Sequence, residues 1–262
     1  MKNAGRKAET TMAQQRLDKI IASTGRYSRR EVKTLVREGR VLVDGRIAAS
    51  AEDKCDPLTA RISVNGEELF YREHTYVMLH KPAGVLSATE DGRGKTVLDL
   101  LAPEYRKIGL FPVGRLDKDT EGLLLLTDDG ALAHDLLAPK KHVDKVYFVR
   151  TDGALDDADC KAFEQGITLG NGLECLPAKL EILKSGAQSE ALVTIREGKF
   201  HQIKRMLASR GKPVVYLKRL RMGTLTLDES LPRGEYRLLT AEEIKNLRES
   251  GQFAQEKAGA GE

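Results

Sequence analysis

Long apolar runs are missing from this 262-residue chain. No stretch approaches the length that crosses a bilayer, and Met1 to Ala13 is polar with no apolar centre, so neither a membrane span nor a secretory signal is expected. Cysteine is scarce: Cys55, Cys160 and Cys175 lie far apart with no C-x-x-C spacing. That argues against a zinc site or a disulfide framework and for reduced thiols in a cytosol, serving as small buried hydrophobes. Neither a glycine-rich phosphate loop nor a dinucleotide fingerprint occurs, so no cofactor is indicated. Excess charge is also small at +4, but it is unevenly spread. Through Arg61 the chain carries 14 Lys and Arg against 8 Asp and Glu, and beyond it 29 against 31. A basic module on a near-neutral body reads as a polyanion anchor attached to a domain with another task.

The length allows two domains. Arg16 to Ile21 opens a helix with Leu17, Ile20 and Ile21 on one face, stopped by Gly25. Ser28-Arg29-Arg30-Glu31 is a capping box, and Val32, Leu35 and Val36 continue an apolar face to Gly39. Val41 to Ile47 reads as a hairpin about Asp44-Gly45, and Asn65-Gly66 makes a further turn. Residues 67–75 form a polar joint. Beyond it, strands are expected at Tyr76–Leu79, Leu123–Thr127, Lys145–Val149, Ala178–Leu183, Ala191–Ile195, Val214–Leu217 and Thr224–Leu227. Helices are expected at Ala131–Leu137, Asp156–Gln165 and His201–Arg210, with a last one capped by Thr240 to Glu243. Repeated strands broken by single helices indicate an α+β architecture and not a doubly wound sheet. The ends, 1–13 and 251–262, are rich in Ala, Gly, Lys and Glu and are expected to be mobile tails.

One stretch organises the rest. Gly114-Arg115-Leu116-Asp117-Lys118-Asp119-Thr120-Glu121-Gly122 runs directly into Leu123-Leu124-Leu125-Leu126 and then Asp128-Asp129-Gly130. Four leucines between turns read as a strand buried on both faces, with Asp117 at its mouth. Asp117-x-Asp119-x-Glu121-Gly122 imitates the start of a calcium loop. Leucines occupy the later ligand positions and no amphipathic helix precedes it, so a metal site is rejected. The remaining readings for Asp117 are a solvated turn residue and a carboxylate held beside apolar surface to act on a substrate.

Gly114-Arg115-Leu116-Asp117-x-x-Thr120-x-Gly122-Leu123 resembles the active-site motif of the pseudouridine synthases. The likeness is to the small-subunit ribosomal RNA branch that carries an S4-type RNA-binding domain in front. Lys81-Pro82-x-Gly84, Lys145-Val146-Tyr147 and the stretch from Glu197 to Met206 follow that family's order, and the match runs from about Arg16 to Leu247. The resemblance implies an S4-like α/β module at 14–66, the joint at 67–75, and a synthase domain at 76–250. That domain would be built on a mixed, largely antiparallel β-sheet with flanking helices.

The implied reaction, uridine to pseudouridine, adds and removes no atoms and needs neither redox group nor energy donor. By the same resemblance Asp117 is the catalytic aspartate, attacking C1′ or removing the C2′ proton. It must be ionised, so a cation is needed nearby, and Lys204 is the candidate. Tyr147 would stack on uracil and assist loss of the C5 proton. Arg115 would fill the gap left by a flipped-out uridine. Lys81, at the border of the cleft, would meet a phosphate, and Arg205 and Leu207 would join the substrate contacts. Arg26, Arg29, Arg30, Lys33 and Arg37, clustered with Arg40, would bind RNA phosphates through bidentate forks and point charges. A second basic concentration, eight Lys and Arg with no acid, spans Lys199 to Arg221. The implied partner is ribosomal RNA or a pre-ribosomal small-subunit particle, with no membrane, in the cytoplasm, as a monomer. A large-subunit rRNA synthase, or a non-catalytic ribosome-assembly factor using the S4 module, stays open.

Overall fold

The computed structural model describes residues 14–170 and 172–258; the tail expected at 1–13 and residues 259–262 lie outside them. Two compact units emerge. The first runs to Glu73 and takes in Ala102–Gly109, and the second comprises His74–Leu101 and the chain from Leu110 onward.

In the first unit, α1 (Leu17–Ala22) and α2 (Arg29–Arg37) pack on a four-stranded antiparallel sheet of β1 (Val41–Val43), β2 (Arg46–Ile47), β3 (Ile62–Val64) and β4 (Glu67–Leu69). The capping box is formed: Ser28 accepts from the Glu31 amide and the Glu31 carboxylate accepts from the Ser28 amide. Leu17, Ile20, Ile21, Val32, Val41, Ile62 and Val64 form the core. Asp44-Gly45 and Asn65-Gly66 turn the chain with both residues at positive φ, the backbone twist that suits a two-residue hairpin. The second hairpin makes Glu67–Leu69 a strand, inside the stretch read from sequence as a joint. A short helix, α3 (Pro103–Ile108), also belongs here. It lies so close to the Gly25 turn that a Cβ at Gly25 would sit 2.1 Å from the Glu104 carbonyl oxygen.

The second unit is built on β5 (Tyr76–Lys81), β6 (Glu121–Thr127), β7 (Lys145–Asp152), β8 (Lys179–Lys184), β9 (Gln188–Ile195), β10 (Val214–Met222) and β11 (Tyr236–Leu238). Their order across the sheet is β8-β9-β7-β10-β6-β5-β11. Every junction is antiparallel except β10–β6, which is parallel through Lys218 opposite Glu121 and Arg219 opposite Gly122. The sheet is thus mixed and largely antiparallel, as expected. At the parallel seam the backbones nearly touch: a Cβ on Gly122 would lie 2.2 Å from the Arg219 carbonyl oxygen, so the motif glycine is a steric requirement.

Leu123, Leu124, Leu125 and Leu126 are all fully buried, which is what a strand covered on both faces demands. Helices α4 (Gly130–Leu137) and α7 (Ala241–Ala258) pack against it, and α5 (Asp157–Gln165) and α6 (Gln202–Ser209) complete the unit. Leu123 and Leu125 pack with Met78 and Met222, with Leu132 and Leu136 of α4, and with Leu247 of α7. Asp129 caps α4 by accepting from the Leu132 amide. The same carboxylate accepts the Tyr76 hydroxyl at 2.6 Å and pairs with Arg248 at 3.3 Å, tying α4, β5 and α7 together. Burial, with Asp129 beside it, pushes the Tyr76 hydroxyl up to about 12. Helix α7 runs to Ala258, so it enters the stretch expected as a C-terminal tail from 251. No helix among the described residues is long and apolar enough to cross a membrane.

Candidate active site

Asp117 stands on the turn that enters β6 at the seam, with α6 facing it from the other half of the sheet. Arg115, Leu116, Asp117, Thr120, Tyr147, His201 and Lys204 line one cleft together with Leu217 and Ile203. Lys204 Nζ lies 3.1 Å from Asp117 Oδ2 and 2.6 Å from Asp119 Oδ1, so one ammonium bridges two carboxylates. Burial works against that ammonium, but its hydrogen bonds to Asp119 and Asp117 outweigh the cost and hold Lys204 above the ordinary lysine range. The hydrogen bond from Lys204 holds Asp119 below the ordinary carboxylate range. Asp117 is 27% exposed, open to a ligand yet walled by apolar side chains. His201 Nε2 approaches Asp117 Oδ1 to 3.6 Å. Tyr147 projects from β7 and is only 7% exposed. Its neighbour across the sheet is Arg219, itself 2% exposed, whose Nε donates to the Leu123 carbonyl at 2.7 Å.

The Asp117 turn is clamped from behind by the loop after β5. Lys81 Nζ donates to the carbonyls of Asp117 (3.1 Å), Lys118 (3.3 Å) and Thr120 (2.9 Å), and to that of Pro82 (3.0 Å). The Gly84 amide donates to the Lys118 carbonyl at 2.7 Å, and the Ser87 hydroxyl donates to the Leu116 carbonyl and accepts from the Leu116 amide. Turn carbonyls that would otherwise face a dry interior are therefore satisfied, and the carboxylate's backbone is fixed.

Two sequence expectations fail here. Lys81 does not meet a phosphate: it is fully buried, its ammonium pushed down to about 8 by burial, and its donors are consumed by the turn. Leu207 is likewise fully buried, packed beneath α6 where RNA cannot reach it, because it shares the inward helical face with Ile203 and Met206. Arg205 is half-buried and, one residue round the helix from Lys204, is outside the cleft lining. Arg115 is exposed at the cleft.

Sequence reading missed His201, whose signal was its place within the Glu197–Met206 motif, and missed the double duty of Lys204, since Asp119 was weighed only as a metal ligand. In the first unit Arg26, Arg29, Arg30, Lys33, Arg37 and Arg40 are all exposed. Three of them meet acids: Arg26 pairs with Glu67 (3.0 Å), Lys33 with Glu52 (3.5 Å) and Arg40 with Glu38 (3.1 Å). The face is therefore more balanced than composition implied, because Glu52 and Glu67 arrive from strands and turns distant in sequence. Exposed pairs of this kind contribute little and exchange readily for phosphate.

An acidic side chain at a sheet seam, bridged by a helix lysine and sharing its cleft with a strand tyrosine, defines a class. The chain belongs to the RNA pseudouridine synthase family: the RNA pseudouridylate synthase family matches residues 75–209, and the S4 domain matches residues 15–57. It is similar to the uncharacterized RNA pseudouridine synthase YtzG of Bacillus subtilis, at 50% identity over 89% of this chain and 98% of that protein. It is also similar to ribosomal small subunit pseudouridine synthase A of Vibrio cholerae, at 40% identity over 88% of this chain and 99% of that one. A crystal structure of a pseudouridylate synthase superposes with a TM-score of 0.63, at 37% identity, covering 88% of this chain and 99% of its own.

Proposed function

We propose that this protein isomerises a specific uridine of small-subunit ribosomal RNA to pseudouridine, with Asp117 as the catalytic carboxylate. The observation that carries the reading is the Asp117 carboxylate 3.1 Å from Lys204 Nζ, in a cleft that it shares with Tyr147. In the reaction the bond from ribose C1′ to N1 breaks, the uracil turns over, C1′ joins C5, the C5 proton leaves and N1 gains one. Asp117 begins the sequence either by attacking C1′ or by taking the C2′ proton, and both roles require the ionised form that an adjacent ammonium favours. Tyr147 stacks on the detached base and assists loss of the C5 proton. Arg115, exposed at the cleft, fills the space vacated by the flipped nucleotide, a step costing a few kcal/mol that its charge and stacking offset. The S4 domain supplies affinity through phosphate contacts from Arg29, Arg30 and Arg37, and the protein works as a cytoplasmic monomer on rRNA or a pre-ribosomal particle.

Support for the small subunit comes from the Vibrio cholerae relative, matched over nearly its whole length. The competing reading is a large-subunit substrate, since ribosomal large subunit pseudouridine synthase B of Bacillus subtilis is also similar, at 38% identity. Incubating the protein with unmodified small- and large-subunit rRNA and mapping pseudouridine by carbodiimide-blocked primer extension separates the two. A single stop in the small-subunit RNA is expected; a stop only in the large-subunit RNA overturns the assignment. Asp117→Asn is expected to yield no stop while binding RNA as the wild type does. Product from that variant removes Asp117 from the mechanism, and a wild type that makes no product on either RNA revives the non-catalytic assembly factor.

A further inference from the structure

Next to the carboxylate lies a feature the reaction does not use. Phe200 is 74% exposed, although an aromatic ring left in water forgoes the gain that burial would give. It is not loose: its ring stacks on that of His201 with centroids 3.8 Å apart and planes 19° from parallel. His201 takes φ 50, the left-handed region that a β-carbon disfavours, and makes no side-chain cap to α6. That strained backbone sets its imidazole 3.6 Å from Asp117 Oδ1 and leaves it 40% exposed at the cleft. The ring pair therefore begins at the catalytic carboxylate and leads outward along the rim.

Cations stand beside the ring pair. Lys199 and Lys204 line the same cleft, and Arg115 is exposed there. The acids that do face this corner are Glu197, paired with Lys199 at 3.0 Å, and Asp117 and Asp119, both held by Lys204. An open aromatic face among cations is the pairing of groups that grips single-stranded nucleic acid, the ring taking a base and the cations its phosphates. A base inside a helix has both faces covered by neighbours, so the occupant must be splayed out.

We infer that Phe200, backed by His201, is a stacking platform for an unpaired nucleobase neighbouring the uridine that Asp117 acts on. The inference rests on the proposed function, and it makes single-strandedness beside the target a requirement for recognition. The ring adds affinity and register and takes no part in bond exchange.

The test titrates full-length wild type, Phe200→Ala and Phe200→Tyr into a single-stranded oligouridylate bearing one central 2-aminopurine, whose fluorescence is quenched by stacking. Wild type is expected to quench it. Phe200→Ala should lose the quenching and bind roughly tenfold more weakly, and Phe200→Tyr should restore both. On rRNA, Phe200→Ala should raise KM by a similar factor with kcat little changed. Unaltered quenching and affinity in a Phe200→Ala protein whose melting curve matches wild type would overturn the platform. The fluorescence arm needs no turnover, so a wild type that makes no pseudouridine defeats the proposed reaction and leaves the platform to be judged on its own result.

Discussion

At the residue scale the site is one carboxylate and one ammonium whose separation decides what each is worth. Lys204 is 22% exposed and shared between Asp117 and Asp119, so it neutralises charge at the cleft without being locked to a single partner. Removing a preorganised charged group beside a reacting centre commonly costs about 10²- to 10³-fold in kcat. Lys204→Met is therefore expected to lower kcat by about 10²-fold in a primer-extension time course, with the RNA Kd changed far less. Lys204→Arg keeps the charge and should recover part of the activity, because a planar fork reaches both carboxylates from a different angle. Full activity in Lys204→Met would show that the ammonium is a surface ion-pair partner only.

At the scale of the element, the decisive part is the turn between Gly114 and Gly122 and the β5 loop that grips it. Lys81 donates to the carbonyls of Pro82, Asp117, Lys118 and Thr120, so replacing it with Met, similar in length but without donors, orphans buried acceptors. The expected penalty is about 2–3 kcal/mol in urea unfolding, at the upper end for buried polar groups left unpaired. The surviving folded protein should show reduced kcat, since the Asp117 backbone is no longer clamped. A Lys81→Met protein as stable and active as wild type would mean the turn holds its shape without the clamp.

Over the whole molecule, charge acts in two ways. The S4 unit presents Arg29 and Arg30 exposed on the first turn of α2, where the proposed RNA contact draws sequence-independent affinity from them. Arg29→Ala with Arg30→Ala should weaken binding and flatten the slope of log K against log salt by about 0.7–0.9 for each phosphate no longer neutralised. Filter binding across a salt series reads this, and an unchanged slope would take the pair out of the interface. In the second unit, Lys145 is 6% exposed, donates to the Val143 carbonyl at 3.2 Å, and burial next to Arg219 pushes it down to about 8. Below that pH the folded and unfolded chains both carry the proton. Between about 8 and 10.5 the unfolded chain keeps it and the folded one sheds it, so stability should rise with pH across this window, by at most about 1.4 kcal/mol per pH unit. Denaturant unfolding at several alkaline pH values should show that rise in wild type and a flatter profile in Lys145→Met.

The sequence by itself determined what local chemistry controls: the Ser28 capping box, the Asp-Gly hairpin and the Asn-Gly turn, the doubly buried leucine strand, and the motif that carries the family. It was misleading where a residue's fate depends on what distant segments bring to it. Val214–Met222 read as ending at Leu217 because Lys218, Arg219 and Arg221 look like a solvated run, yet Arg219 is buried against the Leu123 carbonyl across the seam. Lys81 was expected at a phosphate because the resemblance sets its loop at the border of the cleft, and only the folded turn supplies the carbonyls that sequester it. Tertiary structure alone gathered His201, Asp119 and Lys204 about Asp117, and alone made Gly122 obligatory, because both facts depend on a parallel pairing between segments some hundred residues apart.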